Sequence, residues 1–227
     1  MFYETVFEGK TLIQSDMLKG LTHYFTTRSS FLAENKEFLA RISGVPAENF
    51  IAPVQIHSAN IAIAPAHGGI IPDTDAVILK NKGFALTLNF ADCTPVILFD
   101  PVLNIAAGIH AGWRGTASLI AQKTALKMIE LGSKPENIIA AIGPCIAKCC
   151  FEVTEEVVEA LKPYTVYEPK GEKFMVDLKE TNRRQLEDVG VTKIDISPYC
   201  TACEQDKFFS YRLTKTPDRH NIILALK

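Results

Sequence analysis

The sequence predicts an α+β fold of mixed β-sheets flanked by helices, and three observations carry that expectation. About ten runs read as strands and four as helices, in irregular order rather than strict alternation. Helices are missing between most of the strands, where a doubly wound sheet would need them. No glycine/serine linker, low-complexity tract or repeat divides the chain, so residues 1–227 are expected to form one domain.

The elements follow in order. A helical pattern runs from Phe31 to Ile42, with Gly44 just past its end. Strand-like runs cover Val54 to Ile63 and Asp75 to Leu79. From Phe84 to Phe90 the residues alternate strictly, placing Phe84, Leu86, Leu88 and Phe90 on one face of a strand. Pro95 to Phe99 and Asn104 to Ile109 are further strands, and Thr116 to Leu131 is a helix that stops at Gly132. Asn137 to Ile142 is again a strand; a helix then opens at Thr154 and ends before Pro163. Lys173 to Val176 precedes a helix that Asp177 caps, with Glu180 three residues on and Gly190 as stop. Lys193 to Ile196, Phe208 to Arg212 and Asn221 to Leu226 complete the strands.

Composition narrows the partners. Hydrophobic residues make up 47% and charged residues 22%, an ordinary balance for a chain that buries a core. The net charge of −2 and the scattered basic residues give no footprint for nucleic acid or a membrane surface, leaving a small molecule as the expected partner. The apolar stretches Ile105 to Ile109 and Ile138 to Ile142 are too short to cross a bilayer. The start MFYETVFEGK lacks the pattern of a secretory signal, so a cytoplasmic location is expected. In that compartment six cysteines read as metal-binding, catalytic or buried residues rather than as disulfides.

Three segments concentrate unusual chemistry: Gln55-Ile56-His57-Ser58, Ala91-Asp92-Cys93-Thr94-Pro95 and Ile109-His110-Ala111-Gly112-Trp113-Arg114-Gly115. His57, Cys93 and His110 each sit at or just after an expected strand end, where the strand fixes the backbone and the loop exposes the side chain. Imidazole with thiolate is a donor set that Zn²⁺ selects, and three protein ligands leave a fourth position open, as in catalytic sites. Spacings of 36 and 17 residues match no compact zinc-finger pattern, and a satisfied histidine or buried cysteine reads as well from spacing alone.

With Gly143-Pro144-Cys145-Ile146, Cys149-Cys150-Phe151-Glu152-Val153 and Tyr199-Cys200-Thr201-Ala202-Cys203, these segments resemble the laccase-domain or polyphenol oxidase family. Its members are also described as purine nucleoside phosphorylases with adenosine deaminase activity, and one branch as a peptidoglycan editing factor. The likeness runs from Phe25-Thr26-Thr27-Arg28 to Phe208-Phe209-Ser210-Tyr211-Arg212. It implies zinc held by His57, Cys93 and His110, and a layered α/β/β/α fold akin to cysteine-dependent deamidase toxins. The chain departs from the family pattern where Ser29-Ser30-Phe31 follows Arg28, and where Thr216-Pro217-Asp218-Arg219 replaces a TGR segment.

Around the metal, Arg114 and Gly115 are expected just before a helix start, a place for phosphate, though Arg114 reads equally as a salt-bridged surface residue. Arg28 and Arg212 are further candidates for that role. Asp92 is a candidate proton shuttle or an acceptor that orients a ligand histidine, with Asp75 and Glu152 as alternatives. Trp113 and Phe90 could stack a purine or belong to the core. Cys200 and Cys203 look like half of a zinc ribbon or redox pair, completed only if folding brings Cys149 and Cys150 close; buried or rim cysteines are the preferred reading.

Three functions compete. The first is zinc-dependent phosphorolysis of adenosine, inosine or methylthioadenosine with accompanying adenosine deamination. The second is a thiol hydrolase acting on peptidoglycan precursors, with Cys93 as nucleophile and His110 as base. The third is a non-catalytic, zinc-stabilised interaction module. Copper oxidase chemistry is set aside, because the five histidines, His23, His57, His67, His110 and His220, contain no His-x-His pair.

Overall fold

Segments with a continuous apolar run become central strands, because both of their faces are covered. In the computed structural model, which describes residues 1–30 and 36–227, Thr94–Asp100 and Ile105–Ala111 are buried at every position and pair antiparallel. They form the middle of a six-stranded sheet ordered Lys193–Ile196, Ile139–Ile142, Thr94–Asp100, Ile105–Ala111, Ala76–Leu79, Ile61–Ile63. Its two outermost pairings are parallel and the inner three antiparallel. A seven-stranded sheet orders Phe2–Phe7, Lys10–Ser15, Leu21–Thr26, His220–Leu226, Ala85–Phe90, Phe50–Pro53 and Gly69–Ile71. A small third sheet joins Glu152–Val153, Lys173–Val176 and Tyr167–Lys170.

Strand alternation assigns each residue a layer. Leu86, Leu88, Phe90, Ile222 and Leu224 of the seven-stranded sheet meet Val77, Leu79, Ile97 and Phe99 of the other in one apolar cluster between the sheets. The opposite face of the six-stranded sheet, Ile78, Val96, Leu98 and Ile109, packs under Ile120, Ala125 and Met128 of helix Ile120–Glu130 and Leu186 of helix Leu178–Asp188. On the far side, Leu12 and Ile223 pack with Phe38, Leu39 and Ile42 of helix Lys36–Ser43. The order is therefore helix, sheet, sheet, helix: the expected α+β fold with mixed sheets. The face set by Leu86, Leu88 and Phe90 lies in the inter-sheet core, as the alternation predicts.

Several boundaries differ from expectation. Val54 to Ile63 is not one strand: Phe50–Pro53 and Ile61–Ile63 flank a loop whose Val54 and Ile56 are exposed. That loop is shaped by the buried carboxylate of Asp75, which accepts from the N–H groups of Ile56, His57 and Ser58 and is a partner invisible to local pattern. The helix expected from Thr116 starts at Trp113 and breaks at Leu119, whose φ of 62° is left-handed, giving Trp113–Ala117 and Ile120–Glu130. Phe208 to Ser210 is buried without strand pairing and leads into a short helix, Tyr211–Thr214. The strands Phe2–Phe7, Lys10–Ser15, Leu21–Thr26, Gly69–Ile71 and Tyr167–Lys170 were not expected; the first, third-sheet and edge members among them are largely exposed and carry weak patterns. Of the helix expected from Phe31, residues 31–35 lie outside the described residues, and the remainder ends before Gly44 at a φ of 70°. Asp177 caps its helix as expected, accepting from the Glu180 N–H at 3.0 Å.

Candidate metal centre and its cavity

The end of Ile105–Ala111 carries His110, the start of Thr94–Asp100 carries Cys93 one residue before it, and the loop after Phe50–Pro53 carries His57. The donor atoms of these three residues lie within 4.8 Å of one another. Residues 36 and 17 positions apart in sequence thus meet because adjacent strands deliver two of them and a loop folds the third over the sheet end. A tetrahedral ion with bonds of about 2.0–2.3 Å spans donors at such separations, so the set fits a single metal with a free face.

Asp75 holds this arrangement. It is fully buried, and Oδ1 accepts from the His57 N–H at 3.0 Å and lies 2.8 Å from His110 Nδ1. Oδ2 accepts from the N–H groups of Ile56 (3.2 Å) and Ser58 (2.7 Å) and from the Ser58 hydroxyl (2.8 Å). Three successive amides converging on one carboxylate form an anion nest, which forces His57 to a left-handed φ of 61°. With Nδ1 directed at Asp75, His110 presents Nε2 to the cluster, the geometry of a carboxylate–histidine–metal relay. The His57 and His110 rings meet edge to face at 4.8 Å.

The electrostatics are those of a site that stabilises charge. Burial raises the Asp75 pKa, but the bonds from His110 and Ser58 outweigh it and hold the group at about 2, below its ordinary 3.8. Burial likewise raises the Cys93 thiol, while His110 and His57 pull it down from 9.0 to about 6. Burial lowers His110, yet Asp75 and Cys93 raise it from 6.5 to about 9. Without metal the pair is thus thiolate and imidazolium, and an ion that binds must displace the His110 proton.

Gly112 explains why the segment after His110 needs a glycine. A Cβ there would stand 2.9 Å from Cys93 Sγ and 3.2 Å from His57 Cδ2. Gly115 is similar, since its Cβ would sit 3.1 Å from the Ser58 carbonyl oxygen.

A cavity of about 610 Å³ opens on the cluster, within the range of small-molecule sites. Besides the three ligand candidates it is lined by Gln55, Asn89, Phe90, Tyr211 and Arg219, among others. Gln55 and Asn89 exchange two 2.7 Å bonds, side chain to backbone in both directions, that tie the His57 loop to the sheet. Arg219 is anchored by Nη1 donating to the carbonyls of Thr216 (2.8 Å) and Asp218 (2.9 Å) and lies over the Tyr211 ring. Sequence reasoning does not single out Arg219 as a site residue; its signal is the Thr216-Pro217-Asp218-Arg219 segment, where the chain departs from the family pattern.

The other candidates fall elsewhere. Asp92 does not line the cavity: Oδ1 accepts from Thr201 Oγ1 at 2.7 Å, and Oδ2 from the Arg212 N–H (2.6 Å) and Ser210 Oγ (3.1 Å). It ties three loop segments together at a left-handed φ of 76°, and the contact to a ligand histidine belongs to Asp75. Arg28 donates to the Phe208 carbonyl and stacks on Phe209. Arg212 donates to the Glu152 carbonyl and lies over Phe151. Arg114 is inside helix Trp113–Ala117, exposed and stacked on Trp113, so it does not precede a helix start as expected. None of the three arginines lines the cavity. Glu152 pairs with Lys170 and Lys173, and Trp113 packs into a separate apolar cluster, whereas Phe90 does line the cavity.

The chain is 36% identical over 190 residues to purine nucleoside phosphorylase SCO2081 of Streptomyces coelicolor, covering 82% of this chain and 78% of that protein. It is 35% identical over 192 residues to adenosine deaminase RL5 of an unknown prokaryotic organism, covering 77% and 73%. The crystal structure of YlmD from Geobacillus stearothermophilus superposes with a TM-score of 0.91 at 28% identity, over 98% of both chains. Residues 23–224 match the family described as multi-copper polyphenol oxidoreductase laccase, and the chain belongs to that family.

Proposed function

We propose that this chain is a zinc-dependent purine nucleoside enzyme that phosphorolyses adenosine, inosine or methylthioadenosine and also deaminates adenosine. The observation that carries the reading is the His57–Cys93–His110 cluster, oriented by Asp75, at the floor of a nucleoside-sized cavity. The names of the relatives, purine nucleoside phosphorylase and adenosine deaminase, support an enzyme of this type. His57, Cys93 and His110 would hold the ion, which supplies a Lewis acid and acidifies a coordinated water.

The remaining steps belong to the chain's own groups. Asp75 keeps the proton of His110 on Nδ1, which leaves Nε2 as a ligand. Phe90 and Tyr211 offer aromatic surface to a purine, and Arg219, fixed by two carbonyls, presents a guanidinium suited to phosphate. A multinuclear copper site is short of imidazoles. His23 accepts from the Ser15 N–H and His220 from the Phe209 N–H, both buried away from the cluster, and His67 lies against the Gly68 carbonyl. Cys93→Ala is expected to lose bound zinc and nucleoside turnover together; a zinc-free variant with full phosphorolysis overturns the reading.

One observation favours the thiol hydrolase as second reading: in the metal-free Cys93–His110 pair His110 has already taken the thiol proton, leaving a thiolate nucleophile beside a proton donor. Iodoacetamide applied to the zinc-loaded protein separates the two. Inactivation without metal release favours the hydrolase, and protection of Cys93 until zinc is chelated favours the nucleoside enzyme.

A further inference from the structure

Folding gathers a second set of metal-ligating side chains, outside the cavity. Cys149 and Cys150, in the segment after strand Ile139–Ile142, meet Cys200 and Cys203 of the turn after strand Lys193–Ile196. Their four sulfurs lie within 4.8 Å of one another. The separations are 3.4 Å for Cys150–Cys203, 3.5 Å for Cys149–Cys203 and 3.7 Å for Cys149–Cys200. A disulfide would bring two sulfurs to about 2.05 Å. Four thiolates around one zinc at about 2.3 Å form a tetrahedron with edges of about 3.8 Å, close to what is seen. Sulfurs this near leave no room for the bridging sulfides of a cluster.

The two segments are positioned by bonds that do not involve the thiol groups of the exposed cysteines. Cys145 and Cys200 form a parallel bridge, and the Thr201 N–H donates to the Cys145 carbonyl at 3.0 Å. The Cys150 and Phe151 N–H groups both donate to the Ala147 carbonyl, curling the segment so that adjacent cysteines face one point. The Ala147 N–H donates to Cys200 Sγ at 3.3 Å, a backbone bond that favours a thiolate there. Lys179, buried, braces the approach to Cys200 by donating to the carbonyls of Ser197 (2.7 Å) and Tyr199 (2.6 Å). Four reduced thiols in contact with no ion would be an exposed oxidation liability; the geometry has a simpler use.

We infer that Cys149, Cys150, Cys200 and Cys203 bind a second zinc ion, a closed four-thiolate structural site distinct from the open cluster at the cavity. All four positions of the tetrahedron are filled by protein, so this ion holds structure and does no chemistry on substrate. Its place gives it a purpose. Thr201, between two of the ligands, donates to Asp92 beside Cys93, and Phe151 and Glu152, next to Cys150, support Arg212, whose N–H also reaches Asp92. The ion clamps both segments and so steadies the loop that carries Cys93.

The test is zinc stoichiometry of the reduced full-length protein after gel filtration in EDTA, read by plasma mass spectrometry. Wild type is expected to carry two zinc ions, and both Cys149→Ser/Cys203→Ser and His57→Ala/Cys93→Ala one each. The second variant leaves the four cysteines untouched, so it answers even if the first does not fold. Cobalt loaded into it should show the intense charge-transfer absorption of a four-thiolate tetrahedral site. A His57→Ala/Cys93→Ala protein without metal, iron in place of zinc, or disulfides among these cysteines overturns the inference. One zinc in wild type that survives Cys149→Ser/Cys203→Ser does so too, while sparing the cavity site.

Discussion

Replacing Asp75 by asparagine changes one atom and removes the charge at the point on which the proposed metal site depends. The two oxygens of Asp75 serve five neighbours: His57 N and His110 Nδ1 on one, Ile56 N, Ser58 N and Ser58 Oγ on the other. An asparagine amide must face one of these groups with N–H. Turned toward Ile56 and Ser58 it opposes two backbone donors, each costing about 1–3 kcal/mol when left unpaired. Turned toward His110 it leaves the His57 N–H unpaired and makes Nδ1 an acceptor, moving the ring proton to Nε2, where it blocks ligation. The expected loss in zinc affinity is about 10–100-fold, as for other partners of ligand histidines. A competition titration against a chromophoric chelator reads it directly.

The same substitution alters acid stability, and the sign follows from the depressed pKa. Asp75 falls from 3.8 to about 2 on folding, so its contribution is complete above pH ~4 and disappears as pH falls through about 2. That shift corresponds to roughly 2 kcal/mol at about 1.4 kcal/mol per pH unit. Urea unfolding of the metal-free proteins from neutral pH down through about pH 4 to about pH 2, the window in which the carboxylate titrates, should show the wild-type advantage shrinking toward acid. An asparagine variant with wild-type zinc affinity and a parallel stability profile would refute the reasoning.

Further expectations can be checked alongside. Gly112→Ala drives a methyl group to within 2.9 Å of Cys93 Sγ, so zinc binding should weaken at least tenfold, or about 1.4 kcal/mol, while circular dichroism stays native. His220→Phe removes the 2.6 Å hydrogen bond that the buried Phe209 N–H donates to Nε2; thermal unfolding should report a loss of about 1 kcal/mol. Because burial holds His220 neutral, with its pKa down at about 3, the wild type should also lose stability as pH falls below 6.5, and this variant should lose less.

The layers of the fold were legible because they follow from residue order alone. Thr94–Asp100 and Ile105–Ala111 carry near-continuous apolar runs, Pro95 to Phe99 and Ile105 to Ile109, and lie between two apolar layers, while Phe84 to Phe90 alternates and lies with one face inward. The edge strands Phe2–Phe7 and Tyr167–Lys170 escaped notice because half-exposed strands select their residues weakly. At the candidate site, donor chemistry and resemblance single out His57, Cys93 and His110, and the structure brings the three together. Which carboxylate serves them was not. Asp92 adjoins Cys93 in sequence but its oxygens bind Thr201, Ser210 and the Arg212 amide, whereas Asp75, 35 residues from His110, bonds it.

The four cysteines show the same division more sharply. Sequence supplied two adjacent thiols and a Cys-x-x-Cys pair 51 residues on, each half of a site and neither a site by itself. Local chemistry determines what a side chain is able to bind, because donor type and acidity belong to the residue. Only the packing of strand Ile139–Ile142 beside Lys193–Ile196 decides which thiols meet, because distance between remote segments is a property of the sheet.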